Sequence, residues 1–197
     1  VTGSGKTEVY LKILQHLSSK NGQFLILFPE IALTQQMLDR IGKYFGITPF
    51  IWTSEQSKKE RKRILRFLQT GKACIVIGSR SALFLPYKNL TAIVVDEEHD
   101  TSYKQEEQVI YNARDMAVVR AKLGQIPIIL SSATPSLETY VNTKIGKYEY
   151  VKMANRFGPA ILPYVETRDL KKSRDKQLIS EALHAQIAKN LENNEQV

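Results

Sequence analysis

Four short, unbroken apolar runs constrain the fold of this chain more than any other feature. They are "QFLILFP" from Gln23, "ACIVIG" from Ala73, "TAIVVDEE" from Thr91 and "IPIILSSATP" from Ile126. Each is too short for a core helix and shows no polar alternation, which is the pattern of a strand buried on both faces. The stretches around them have helical texture. Residues 8–19 place Val9, Leu11, Ile13, Leu14 and Leu17 in a rough helical stripe. "EIALTQQMLDRIGKYF" from Glu30 has helical spacing, and "SKKERKRILRFLQTG" from Ser57 reads as a basic helix stopped by Gly71. "NARDMAVVRAKLG" ends at Gly124, and "SLETYVNTKIG" starts with Ser136 as N-cap and Glu138 close behind it. "TPFIWT" from Thr48 adds a short strand. Strand and helix alternate from about 23 to 146, which predicts an α/β fold with a mostly parallel sheet covered by helices on both faces.

From Asn155 the texture changes. "NRFGPAILPYVETRDLKKSRDKQ" contains prolines and many charges, and reads as a connector with one edge-like strand. "LISEALHAQIAKNLENNEQV" is a helix. The pattern predicts a lobe over 1–154, and a connector with the first strand and helix of a second lobe over 155–197. There is no internal repeat or low-complexity tract.

At 197 residues the chain is long enough to bury a real core, and 43% hydrophobic with 24% charged residues excludes a disordered class. The net charge of +8 points to an anionic partner, nucleic acid first and an acidic membrane surface second. The alternative is a merely solvated basic surface. The one cysteine, Cys74, excludes an internal disulfide and a zinc site of its own. No apolar stretch reaches membrane-spanning length and no signal-peptide pattern opens the chain, so the expectation is a cytosolic protein. The absence of an initiator Met suggests a piece of a longer chain.

The chemistry begins at residue 3. Gly3-Ser4-Gly5-Lys6-Thr7 is the end of a phosphate-binding loop whose first glycine would precede Val1. Glycines let backbone N–H groups approach phosphate oxygens, Lys6 suits the β- and γ-phosphates, and the Thr7 hydroxyl suits Mg²⁺. The helix starting here turns its positive end to the anion. A parallel-sheet nucleotide site also needs an acid at the end of a central strand, and "AIVVDEEHD" supplies Asp96 and Glu97 there. Asp96 would hold Mg²⁺, and Glu97 would orient and deprotonate the attacking water. The alternative, a solvated acidic turn, leaves the acids' position directly after "IVV" unexplained.

Asp96-Glu97-Glu98-His99, with the phosphate loop upstream and Ser132-Ala133-Thr134 downstream, resembles the superfamily 2 helicases. The strings "VTGSGKTEVYL", "PEIALTQQ", "IGSRSALFLP", "VVDEEHDTSYKQEE", "YNARDMAVVRA" and "SATPSLETY" are similar to the bacterial replication-restart helicases of the primosome. The resemblance covers nearly the whole chain. It implies a RecA-like P-loop lobe that uses ATP and Mg²⁺ to drive 3′–5′ unwinding of DNA at stalled forks in the bacterial cytoplasm. Primosome proteins and single-strand-binding protein are the implied partners. Such helicases also bring a DNA-binding region ahead of the phosphate loop and a second lobe whose arginine is worth roughly 10³–10⁵ in rate where arginine fingers have been measured. They carry a zinc insertion as well, but this sequence has no zinc ligands for it. The chain alone is therefore expected to bind nucleotide weakly and to show almost no helicase activity.

The resemblance also implies a nucleic-acid face. Pro29, Glu30 and Thr34 would lie near the DNA path, although Thr34 also reads as a helix cap. Arg80 would meet a phosphate with its planar fork, with a surface salt bridge as the alternative. "DTSYKQEEQVIYNARD" resembles an aromatic-rich loop in which Tyr103, Lys104, Tyr111 and Arg114 hold a single strand and signal to Glu97 or His99. The alternative is that the tyrosines anchor the core. Ser132, Ala133 and Thr134 would link hydrolysis to strand movement. Lys58, Lys59, Arg61, Lys62, Arg63 and Arg66 form either a solvated helix face or extra phosphate contacts. Trp52-Thr53 stands where relatives often have His-Ser, which leaves the role of Trp52 open. An RNA-dependent ATPase shares the acidic motif, and a P-loop kinase or nucleotide-gated module shares the loop. The extended "DEEHDTSYKQ" string favours DNA.

Overall fold

The computed structural model describes residues 3–18, 22–29, 34–107, 109–157, 165–167 and 179–195. The chain divides into two compact units, 1–160 and 161–197. In the first, helix α1 (Lys6–Ser18) precedes strand β1 (Gln23–Leu27), α2 (Gln35–Phe45), β2 (Phe50–Trp52), α3 (Lys58–Gln69), β3 (Cys74–Gly78) and β4 (Leu90–Val95). The two-residue strands β5 (Lys104–Gln105) and β6 (Tyr111–Asn112) follow, then α4 (Ala113–Gly124), β7 (Ile128–Leu130) and α5 (Leu137–Lys144). The described residues of the second unit hold α6 (Glu181–Glu192), capped by Ser180.

Five strands form one sheet in the order β2-β3-β1-β4-β7, and every pairing in it is parallel. The side-chain alternation of a strand divides the core in two. Phe24, Ile26, Ile75, Ile77, Ala92 and Val94 pack with Tyr10, Leu11 and Leu14 of α1 and Leu38 and Ile41 of α2. Leu25, Leu27, Val76, Ile93 and Val95 pack on the other face, with Ile64 and Leu68 of α3 and Ala113, Ala117 and Ala121 of α4. The buried apolar residues of α4 are all alanine, which lets that helix lie close to the sheet. Trp52 belongs to this second cluster: its indole N–H donates to Ser81 Oγ (3.2 Å), and the Arg61 guanidinium lies 5.4 Å from its ring centre. Its role is therefore structural, and Arg61 is taken up in holding it.

The structure corrects several expectations. The α1 stripe is Tyr10, Leu11 and Leu14, whereas Val9 and Ile13 are exposed. Helix α2 begins at Gln35, with Thr34 as its N-cap accepting from the Met37 N–H (3.3 Å). β7 is only half-buried, because among the described residues it is an edge strand paired with β4 alone. Of the connector's edge-like strand, the described residues 165–167 show none, and the rest lies outside the described residues. No helix among the described residues is long and apolar enough to cross a membrane.

Candidate nucleotide site and nucleic-acid face

Parallel strands end on one edge of a sheet, and ligands of such sheets bind beyond those carboxyl ends. Here Leu27, Val95 and Leu130 are in register at that edge. The next residues are stitched across it: the Asp96 N–H donates to Leu27 O (2.9 Å), Ser131 N–H to Val95 O (2.9 Å) and Glu98 N–H to Ser131 O (3.0 Å). The acidic stretch is thereby fixed by its own backbone.

The phosphate loop turns through Gly3 (φ 74°) and Gly5 (φ 84°), both left-handed positions that glycine adopts without steric cost. The first helical bond follows at once, Val9 N–H to Gly5 O (3.1 Å), so Lys6 and Thr7 lie in the first turn of α1. Lys6 Nζ is 3.8 Å from Glu97 Oε1. Glu97 has φ 45°, a left-handed backbone that is uncommon for a residue with a side chain and typical of functional sites. The other Glu97 oxygen is 3.5 Å from His99 Nδ1, which is 2.7 Å from Ser132 Oγ. Lys6, Glu97, His99 and Ser132 thus form one continuous chain of polar contacts, and the Thr134 N–H donates to its last oxygen (3.0 Å). Ala133, between them, is half-buried.

Asp96 is buried, and Tyr10 was absent from the sequence reading. The Tyr10 hydroxyl donates to Asp96 Oδ2 (3.1 Å), and the Glu97 N–H donates to Oδ1 (3.1 Å). Burial and the adjacent Asp96 hold the Tyr10 hydroxyl well above its ordinary pKa, so it stays a donor, and it stands beside Thr7 as well. A hydroxyl and a carboxylate are hard oxygen donors, the set that Mg²⁺ prefers, and Thr7 and Asp96 fit that ion. A partner that orients a metal-binding carboxylate typically accounts for 10–100-fold in metal affinity. Tyr10→Phe is accordingly expected to raise the Mg²⁺ concentration needed for half-maximal ATP-analogue binding by about tenfold. An Mg²⁺ titration of a fluorescent ATP analogue reads this directly, and an unshifted midpoint refutes it.

The expected nucleic-acid face is rearranged. Tyr103 is buried at 1% exposure, and its hydroxyl donates to Asp96 O (2.6 Å) and Leu27 O (3.0 Å). It is a tether rather than a stacking platform, because its one hydroxyl hydrogen is spent on carbonyls at the strand ends, with Asp96 O the shorter contact. Arg114 is also buried. Its guanidinium meets Glu98 Oε2 (3.3 Å), Ser136 Oγ (2.6 Å) and Asp115 Oδ1 (2.8 Å), so it is internal and does not present a cation to solvent. Glu98, unassigned in the sequence reading, is the hub. It accepts from the Ser136 N–H (2.8 Å), the Ser136 hydroxyl (3.0 Å) and the Thr139 hydroxyl (2.9 Å) as well as from Arg114. No local signal marks it, since its partners come from α4 and from the start of α5.

Arg80 donates to Ser102 O (3.3 Å) and Lys104 O (2.8 Å), which grips the β5–β6 hairpin and is not the surface salt bridge. Lys104 is exposed and paired with Glu106 (2.7 Å). Pro29 is buried, Thr34 is occupied as a cap, and Glu30 lies outside the described residues. Tyr111 is half-buried, with its ring edge-on to Phe84 at 5.3 Å. Phe84 is 53% exposed, which makes it the open aromatic surface of this face. An apolar residue in "SALFLP" looks like core, so the sequence does not mark Phe84 as surface. Lys58, Lys59, Lys62, Arg63 and Arg66 all stand exposed on α3.

Comparison with known proteins adds to this geometry. Residues 1–143 match the model of the DEAD/DEAH box helicase family. The chain is 46% identical over its full length to the replication restart protein PriA of Rickettsia felis, and 48% identical to that of Rickettsia prowazekii. It spans 31% of the length of each of these relatives. A crystal structure of the DUF1998 helicase MrfA bound to DNA and AMPPNP aligns over 74% of this chain and 22% of its own, with 23% identity and a TM-score of 0.48.

Proposed function

This chain belongs to the DEAD/DEAH box helicase family, and on that premise we propose that it is the ATP-binding motor lobe of a DNA helicase of the PriA type. In this reading ATP hydrolysis drives 3′–5′ unwinding of DNA at stalled forks during replication restart and primosome assembly, in the bacterial cytoplasm. Residues 155–197 form a connector and begin the second lobe, and primosome proteins and single-strand-binding protein are partners. One observation supports this reading above the others: Lys6, Glu97, His99 and Ser132 form an unbroken contact path. A kinase or a passive nucleotide-binding module has no need for that path.

The loop N–H groups, Ser4, Lys6 and the start of α1 bind the triphosphate. Thr7 and Asp96 would hold Mg²⁺, which when bound neutralises charge on the β- and γ-phosphates. Glu97 accepts the proton of the attacking water. His99 and Ser132 carry the state of Glu97 toward the segment containing Ala133 and Thr134. The single strand lies along the edge lined by Phe84 and Tyr111, with Arg80 and Lys104 supporting the hairpin. Tyr103 joins that hairpin to the carbonyl of Asp96 through one hydrogen bond, and this gives strand binding a short route to the catalytic acids.

The test is ATP hydrolysis by the full-length protein with and without forked DNA or RNA. DNA stimulates it, and Lys6→Ala abolishes it. Phe84→Ala with Tyr111→Ala lowers stimulation by about tenfold or more, since each base stack lost is worth roughly 1–3 kcal/mol, and leaves basal hydrolysis in place. Stimulation by RNA alone overturns the DNA assignment, and no stimulation by either overturns the motor.

A further inference from the structure

We infer that Arg156 is a second phosphate-binding cation of the nucleotide site, delivered in cis by the segment after α5. The inference rests on the nucleotide-site reading above. The Phe157 N–H donates to Gly3 O (2.9 Å), so a backbone bond ties this segment to the first turn of the phosphate loop. That bond sets the register and places residue 156 alongside the loop. The Arg156 Nε, Cγ and Cδ atoms lie 3.8, 3.9 and 4.0 Å from the point that a Cβ on Gly3 would occupy. Arg156 is half-buried, whereas Asn155 and Phe157 on either side are exposed.

The charge and polarity of the loop call for such a group. Its ammonium, Lys6, stands 3.8 Å from the Glu97 carboxyl, and Asp96 adds a second carboxyl nearby. With Asp96 assigned to Mg²⁺, a single ammonium that is shared with the Glu97 carboxyl leaves part of the triphosphate's anionic oxygens without a protein cation. A guanidinium offers several N–H donors in a planar fork that matches two phosphate oxygens at once. Ser4 Oγ, next to Gly3, is buried with no hydrogen-bond partner among the described residues, which independently marks the loop as awaiting a polar ligand. The segment holding Arg156 also leads out of the first unit, which ends at Ala160. A phosphate contact there makes the chain's exit from this unit sense nucleotide.

The experiment uses the full-length protein with Arg156→Ala and Arg156→Lys. Fluorescent analogues of ATP and AMP are titrated, and melting is followed without nucleotide. Arg156→Ala is expected to weaken the ATP analogue by about tenfold, the loss of one charge-assisted hydrogen bond. The AMP analogue and the unliganded melting temperature stay in place, and Arg156→Lys recovers most of the loss. Unchanged ATP affinity in Arg156→Ala overturns the inference, as do equal losses for both analogues. Lys6→Ala separates the two levels. If it weakens ATP binding while Arg156→Ala does not, this inference fails alone. If Lys6→Ala changes neither binding nor hydrolysis, the nucleotide-site reading itself has failed.

Discussion

Glu97→Gln in the full-length protein lowers DNA-stimulated ATP hydrolysis by on the order of 10²–10⁴-fold and leaves ATP affinity near the wild-type value. The amide has the shape of the carboxylate but cannot take a proton from water. Glu97 is 3.8 Å from Lys6 and 3.5 Å from His99, so it stands between the phosphate loop and the path to Ser132. Its left-handed backbone (φ 45°) is a cost that folding alone gives no reason to keep. Binding should survive because the loop glycines, Lys6 and Thr7 are untouched. Single-turnover hydrolysis and equilibrium binding, measured on the same preparation, separate the two effects. A variant that keeps more than about a tenth of the wild-type rate shows that another group accepts the proton.

Glu98→Ala is expected to destabilise the protein by ~3–5 kcal/mol, the usual cost of leaving one partner of a buried ion pair uncompensated. Glu98 is 2% exposed and Arg114 6%, so water cannot replace the lost carboxylate. The Ser136 N–H and two hydroxyls, of Ser136 and Thr139, lose their acceptor in the same step. Asp115 and Glu138 remain with Arg114, but both are exposed carboxylates and compensate it less well than the buried Glu98. Urea unfolding of the variant measures the loss. Glu98→Leu combined with Arg114→Met restores the part of the loss due to the unmet charge, and not the part due to the Ser136 and Thr139 donors. A wild-type midpoint for Glu98→Ala refutes the view that this network holds α4 and α5 to the acidic motif.

Much of this molecule was legible in its residues because the relevant signals are local. The runs around Phe24, Ile75, Ile93 and Ile128 are strands because an apolar stretch of that length can be hidden only in a sheet covered on both sides. Ser136 and Thr34 cap helices because a side-chain oxygen satisfies an orphan N–H three residues on. The phosphate loop and the acids after β4 are likewise contiguous strings with contiguous chemistry. The aromatic face was misread because exposure is not local. Tyr103 and Phe84 each end a single 3-10 turn, and the tyrosine, with its polar tip, has the look of the surface residue. The sheet edge reversed them: the hydroxyl of Tyr103 turns inward to the carbonyl of Asp96, while Phe84 stays 53% exposed with only the edge of Tyr111 against it among the described residues.

By itself, then, the sequence determined the α/β class and the approximate places of the main strands and helices, and it marked Lys6, Thr7, Asp96 and Glu97 as the candidate nucleotide set. Each of those follows from neighbours along the chain. Only the tertiary structure decided that Tyr10 orients Asp96, that Glu98 and Arg114 form an internal hub, that Tyr103 is a tether, and that Arg156 lies on the phosphate loop. These contacts join residues that folding brings together from distant stretches, chiefly at the carboxyl edge of the sheet. A pairing of that kind leaves no periodicity or spacing in the chain, because its geometry exists only once the strands are in register.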